Sequence, residues 1–370
     1  MFEEDFLSYL HEFRFTGDIY AIPEGTVVFP REPLVKVIAP IMQAQLIETA
    51  LLNIINHQSL IATKTERIVY AAKGDGVMEF GLRRAQGPDA GTYGARAAMI
   101  ARCIGTSNVL CGKMFDVPVK GTHAHSWIMS FPDELTAFRT YAKLYPSACI
   151  LLVDTYDTLG SGIPNAIQVF KEMRDAGIPL AFYGIRLDSG DLAYLSKKAK
   201  KMLNEAGFPD AVISASNDLD ENLINSLKMQ GATINSWGVG TNLITAKDCP
   251  SFGGVYKLAA VMDKATGQFV PKIKLSENAE KITNPGNKTI QRIYDRATGK
   301  IIADLICLVG EEFDTRNSLL LFDPLETWKK TMLAPDSYTM RELMIPIFLN
   351  GRCMYQSPKV MEIGRASCRE

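Results

Sequence analysis

The chain has 370 residues, 47 % of them hydrophobic, which is enough to bury one large core or two smaller ones. Its 40 basic and 41 acidic residues leave a net charge of −1, so bulk charge implies neither a nucleic-acid groove nor binding to an acidic membrane surface. No apolar run approaches the length of a membrane span, the MFEEDF start is unlike a signal peptide, and the seven cysteines form no CxxC pair, so the reading is a cytoplasmic protein with buried free thiols.

Residues 17–40 read as short strands with Pro and Gly turns, and residues 41–72 carry apolar side chains at helical spacing. The pattern then changes. Apolar runs at 149–154, 180–188, 210–216 and 234–240 recur, with amphipathic helical stretches between them, which predicts parallel βα units. Without a GxGxxG fingerprint on a first strand, closure into a barrel is expected rather than an open sheet. Residues 252–310 return to short strands and turns. The expected organisation is an N-terminal β-rich and helical part (1–75), an α/β barrel (76–250), a β-rich and helical part (251–363), and a GRASCRE stretch (364–370) that breaks the preceding pattern like a foreign tail.

The four runs end in Asp154, Asp188, Asn217 and the Gly238–Gly240 pair. Helix caps also favour Asp, Asn and Gly, but four successive strand ends with arginine and serine between them point to a site at a barrel mouth. In RLDSGD (186–191) an ordinary capped turn accounts for Ser189 and Asp191 but not for Arg186 beside Asp188. Vicinal ribose hydroxyls call for a carboxylate acceptor, and phosphates for an arginine and helix-terminus amides. GVGT (238–241) offers backbone amides at close approach, although a glycine turn alone is commoner than an anion nest. EFGLRRAQGPDAG (79–91) places paired arginines after an apolar strand end, and GTHAHSW (121–127) has two histidines that would share a face on a strand. A metal pair, a general acid or base, a nucleophile and a core histidine all compete there. A zinc-type hydrolase barrel would need further histidines downstream, and the only others, His11 and His57, lie upstream. Lys257, Lys274, Lys281 and Lys288 are each best read as surface lysines, yet together could meet a polyanion.

Taken in order, EFGLRRAQGPDAG, GTSNV, GTHAHSW, VDTYDTLGSG, RLDSGD, GVGTNL and GGVYKL resemble the nicotinate phosphoribosyltransferase family, over roughly residues 12–360. The resemblance implies an irregular, TIM-like βα barrel of the type II phosphoribosyltransferase kind, with a smaller β-rich domain from both chain ends, working as a homodimer. It implies transfer of phosphoribosyl from phosphoribosyl pyrophosphate to nicotinate with Mg²⁺, coupled to ATP hydrolysis through a transient phosphohistidine. Carried over motif by motif, His125 is the phosphate acceptor and Asp154 the carboxylate that orients it, with His123 supporting. Arg83 resembles the arginine facing the pyridine carboxylate, Asp188 the ribose ligand with Arg186 beside it, and Gly238, Gly240 and Thr241 the 5′-phosphate cradle. Lys257, Lys274 and Lys281 resemble pyrophosphate or nucleotide contacts. A related phosphoribosyltransferase that uses nicotinamide has an aspartate where this chain has Ser107, and a carboxylate there would repel nicotinate. Ser107 therefore favours the acid. The family's usual opening run, similar to TDLYxLTM, and its last helices have no match here, so a truncated chain is expected.

Overall fold

The computed structural model describes residues 2–275, 282, 284–323 and 325–367. The chain forms two compact units, one chiefly from Ile54–Gly253 with Lys359–Arg365, the other chiefly from Met1–Asn53 with Gly254–Pro358.

The first unit is an irregular parallel βα barrel. Its strands are β1 (Gly76–Glu79), β2 (Gly105–Thr106), β3 (Cys149–Leu152), β4 (Tyr183–Leu187), β5 (Val212–Ala215) and β6 (Ser236–Val239). They pair in parallel in the order β2-β1-β6-β5-β4-β3. The gap between the two edges is spanned by residues 119–123. Val119 bridges Thr106 of β2, and the His123 ring accepts a hydrogen bond at 3.3 Å from the Leu152 N–H of β3. A side chain there takes the place of a strand, which makes the barrel irregular.

The strands are short and buried on both faces, as parallel strands wrapped by helices must be. Helix Ile163–Asp175 buries Ile163, Ala166, Val169, Phe170 and Met173, and helix Leu192–Glu205 buries Leu192, Ala193, Ser196, Ala199 and Leu203. That spacing is the apolar stripe of an amphipathic helix. Two aspartates at βα turns are plain caps: Asp191 accepts from the Tyr194 N–H at 2.9 Å and Asp220 from the Leu223 N–H at 2.7 Å. Helix Val360–Ser367 runs through residue 364, where an added Cβ would lie 2.7 Å from the Ile100 carbonyl oxygen. The GRASCRE stretch thus begins inside a packed helix.

The second unit is β-rich and antiparallel. One sheet runs Arg352–Cys353, Ile345–Leu349, Asp18–Ala21, Val35–Ile38, so it joins chain segments from both sides of the barrel sequence. Another runs Ile301–Leu308, Lys288–Asp295, Tyr338–Glu342, with Ile293, Leu333 and Tyr338 as its core. Arg292 is fully buried and forks onto Asp304 through Nε–Oδ1 at 2.8 Å and Nη2–Oδ2 at 2.6 Å, and Nη2 also donates to the Val27 carbonyl at 2.5 Å.

Candidate active site

Alternation along β4 sends Tyr183, Ile185 and Leu187 into the helix layer, where all three are buried. Arg186 and, one step past the strand, Asp188 point the other way. There each nitrogen of the Arg186 guanidinium donates a hydrogen bond: Nε to Ser216 Oγ at 2.8 Å, Nη1 to Thr122 Oγ1 at 2.7 Å and Nη2 to Asp188 Oδ1 at 2.8 Å. The Ser216 hydroxyl donates to the same Asp188 oxygen. The other oxygen, Oδ2, lies 3.7 Å from His125 Nε2. Burial works to raise the Asp188 pKa, but Ser216, Arg186 and the neighbouring His125 outweigh it and hold the carboxyl below its ordinary value. The result is a fixed, ionised carboxylate with one side still open.

His125 opens the short helix His125–Met129, with Nδ1 3.0 Å from Thr155 Oγ1. The expected orienting contact from Asp154 is replaced. Leu152 pairs with Arg186 in the β3–β4 register, which carries Asp154 alongside Asp188. Asp154 Oδ2 accepts from the Asp188 N–H and from Ser189 Oγ, both at 2.7 Å, and so braces the RLDSGD turn. Its Oδ1 is buried with no hydrogen-bond partner among the described residues. The hydroxyl that meets His125 belongs to the next residue, Thr155. Ser189, expected to cap the helix, faces Asp154.

His123 and His125 do not share a face, because 121–124 is a loop and not a strand. His123 is buried, with its ring edge-on to Tyr141 at 4.5 Å between centroids. Burial, assisted by Arg186 and His125 and opposed by a backbone hydrogen bond at Ala124, pushes its pKa down to about 4. It is a neutral core histidine at the barrel's seam.

Arg83 stands on the turn Leu82–Arg84 that follows β1, and Ser107 is exposed just after β2, its N–H donating to the Glu79 carbonyl at 3.0 Å. Gly238 and Gly240 follow from close packing of β6 against the end of β1. A Cβ on Gly238 would meet the Phe80 ring at 2.7 Å, and one on Gly240 the Phe80 carbonyl at 3.1 Å. Thr241 starts the helix Thr241–Ile244 beyond them. Lys257 and Lys274 are exposed residues of the β-rich unit, and Lys281 lies outside the described residues. Arg186, Asp188, Asp154 and His125 are thus brought together, joined by Thr122, Thr155 and Ser216, which the motif reading had not singled out. Thr122 and Thr155 lie within GTHAHSW and VDTYDTLGSG, and Ser216 ends the apolar run 210–216, but serine and threonine are too common at strand ends to stand out.

Known proteins resemble this chain in sequence and in fold. The profile described as "Nicotinate phosphoribosyltransferase (NAPRTase) family" matches residues 76–296, with the N-terminal and C-terminal domain profiles of nicotinate phosphoribosyltransferase on 1–56 and 287–370. Nicotinate phosphoribosyltransferase of Bacillus subtilis is 49 % identical over 362 residues, spanning 98 % of this chain and 72 % of that protein. The chain belongs to the nicotinate phosphoribosyltransferase family. Nicotinate phosphoribosyltransferase pncB2 of Mycobacterium tuberculosis is 38 % identical across 100 % of this chain and 71 % of its own length. The crystal structure of human nicotinic acid phosphoribosyltransferase superposes with a TM-score of 0.83 at 28 % identity, covering 100 % of this chain and 79 % of that one. The family's fold, an irregular βα barrel with a β-rich part from both chain ends, is the fold of this chain.

Proposed function

We propose that this chain transfers the 5-phosphoribosyl group from phosphoribosyl pyrophosphate to nicotinate, giving nicotinate mononucleotide and pyrophosphate for NAD salvage. The observation that carries this reading is Asp188, an ionised carboxylate clamped by Arg186 and Ser216 at a strand end, with Oδ2 facing the opening beside His125.

The transfer needs no covalent enzyme nucleophile. The nicotinate ring nitrogen attacks C1 of the ribose, the bond to pyrophosphate breaks, and both electrons of that bond leave with pyrophosphate. Positive charge builds on the ribose and negative charge on the leaving group, so positioning and electrostatics supply the catalysis. Asp188 accepts the ribose hydroxyls and Arg186 keeps it in place. Arg83 and Ser107 meet the nicotinate carboxylate, and Gly238, Gly240 and Thr241 the 5′-phosphate. Pyrophosphate contacts by Lys257, Lys274 and Lys281 rest on the motif resemblance alone.

Mg²⁺ is usually held by one or two carboxylates together with substrate phosphates. The unpartnered Asp154 Oδ1 and the adjacent Asp188 fit such a share, and the ion would offset charge on the pyrophosphate. His125 takes the γ-phosphoryl group from ATP as ADP leaves, and the phosphohistidine later passes that group to water as phosphate, which couples ATP hydrolysis to synthesis. For Nε2 to present its lone pair, Nδ1 keeps the proton and donates to Thr155 Oγ1. We further propose a cytoplasmic homodimer. The location is supported by free cysteines, and no helix among the described residues is long and apolar enough to cross a membrane.

The test is product formation from labelled nicotinate and phosphoribosyl pyrophosphate with Mg²⁺, with and without ATP, against nicotinamide as competitor. Nicotinate mononucleotide, formed faster with ATP, is expected. Product from nicotinamide alone would overturn the reading.

A further inference from the structure

Glu79 closes β1 and is completely buried, and none of the roles assigned above uses its carboxyl group. Its carboxylate reaches two different turns. Oε1 accepts from the Gly81 N–H, and Gly81 begins the tight turn Leu82–Arg84, where the Arg84 N–H donates back to the Gly81 carbonyl at 2.8 Å. Oε2 accepts from the Thr106 hydroxyl at 2.6 Å. Thr106 Oγ1 in turn accepts from the Asn108 N–H at 3.0 Å, and Asn108, itself buried, caps the helix Val109–Phe115 by accepting from the Cys111 N–H at 3.0 Å. Between Thr106 and Asn108 lies Ser107, its N–H held by the backbone carbonyl of Glu79 at 3.0 Å. One residue therefore binds the turn that carries Arg83 to the turn that carries Ser107.

A buried carboxyl is an expensive way to fill space. Burial raises the Glu79 pKa against the pull of Thr106 and Gly81, which is the signature of a group that would be more comfortable replaced by a neutral one. A leucine of similar size would pack without that penalty, and would leave Gly81 N–H and Thr106 O–H without their acceptor. Space is closed as well. A Cβ on Gly81 would collide with Ile244, so the turn cannot relax inward to find another partner.

We infer that Glu79 is a positioning residue for the nicotinate pocket, a two-oxygen clamp that fixes the spacing between the Arg83 and Ser107 turns. The clamp works through the two hydrogen bonds and not through charge on the substrate. The inference rests on the reading of Arg83 and Ser107 as nicotinate contacts, and its test separates the two.

Glu79→Leu removes both bonds. Glu79→Gln can keep both links, accepting from Gly81 through Oε1 and donating to Thr106 through Nε2. Thr106→Val removes one. Steady-state kinetics should show the nicotinate KM of Glu79→Leu raised about tenfold or more, with the phosphoribosyl pyrophosphate KM within about twofold and Glu79→Gln within about threefold of wild type. Hydrogen exchange needs no substrate and reads the clamp alone: in Thr106→Val, amides of 80–84 should lose protection together with those of 106–109. A folded Glu79→Leu with unchanged nicotinate KM, equal rises in both KM values, or a Glu79→Gln as damaged as Glu79→Leu would each overturn the inference. So would Thr106→Val exchange confined to 106–109, which decides the matter even where Glu79→Leu does not fold. Absence of nicotinate mononucleotide synthesis by the wild type would instead fall on the proposed function, leaving the exchange result to decide the clamp.

Discussion

Asp188 sits among groups whose effects oppose one another, and the balance decides what it can do. Desolvation favours the acid; Ser216, Arg186 and His125 favour the anion and prevail. A charge-assisted hydrogen bond to such an anion is worth roughly 1.5–3 kcal/mol, so Asp188→Asn should raise the phosphoribosyl pyrophosphate KM by about 10- to 100-fold. Ser216→Ala keeps the carboxylate and should cost less. Initial-rate kinetics check this, and an unchanged donor KM in Asp188→Asn would remove Asp188 from the ribose site. Ser107→Asp belongs to the same scale. A second negative charge should repel nicotinate and raise its KM while nicotinamide use holds or rises slightly. Equal loss of both substrates would instead signal damage to the turn that Ser107 shares with Thr106.

The elements were legible where their pattern had room to repeat. β3, β4, β5 and β6 follow long apolar runs with helices between them, so four strands and the polar residues at their ends could be read from spacing. β2 is two residues long, too short for any period to show. The seam at 119–123 has no strand at all, and GTHAHSW read as a strand placed both histidines on one side when a loop turns them apart. His123 gives that seam a pH dependence. The unfolded chain takes up a proton near pH 6.5, but the folded barrel resists it down to about 4. Its contribution is therefore whole above 6.5 and is lost as pH falls towards 4. His123→Asn, which can still accept from Leu152, should cost roughly 1–3 kcal/mol at neutral pH but flatten the acid slope of the urea midpoint. An unaltered slope would exclude His123 as its source. In the β-rich unit the sign is reversed. Burial, then a hydrogen bond to Asp304, raises the Glu32 carboxyl from 4.5 to about 7, against the Phe29 N–H and Arg292. The folded unit holds a proton that the unfolded chain has released, so this stabilisation is full below 4.5 and disappears as pH rises through 7. Glu32→Gln should remove that alkaline loss in Tm measured from pH 5 to 8. A Tm profile parallel to wild type would assign the loss to another group.

At the scale of the whole molecule, the order of the motifs carried more information than any one of them. Collinear segments identified the family where GVGT or the histidine pair alone could not. What order could not supply was the partner of each side chain, because that depends on register. VDTYD contains both Asp154 and Thr155, and only the β3–β4 alignment decides that the aspartate braces Asp188 and the threonine meets His125. That distinction changes the expected behaviour of the coupled reaction. If His125 accepts phosphate from ATP at Nε2, then Thr155 must keep the proton on Nδ1 by accepting from it, and Asp154 acts on the ribose turn instead. His125→Ala should abolish ATP hydrolysis and the acid-labile phosphoprotein while leaving slow, ATP-independent synthesis, since the transfer forms no bond to the imidazole. Thr155→Val should weaken labelling from γ-labelled ATP and leave the uncoupled rate nearly unchanged. Asp154→Asn should do the reverse: retain labelling and raise the phosphoribosyl pyrophosphate KM, because it loosens the turn that presents Asp188. Radiolabelling and uncoupled synthesis, measured together in the three variants, separate these roles. If Asp154→Asn loses labelling and Thr155→Val does not, the carboxylate orients the histidine after all and the hydroxyl contact is incidental. If labelling survives His125→Ala, the phosphate acceptor lies elsewhere.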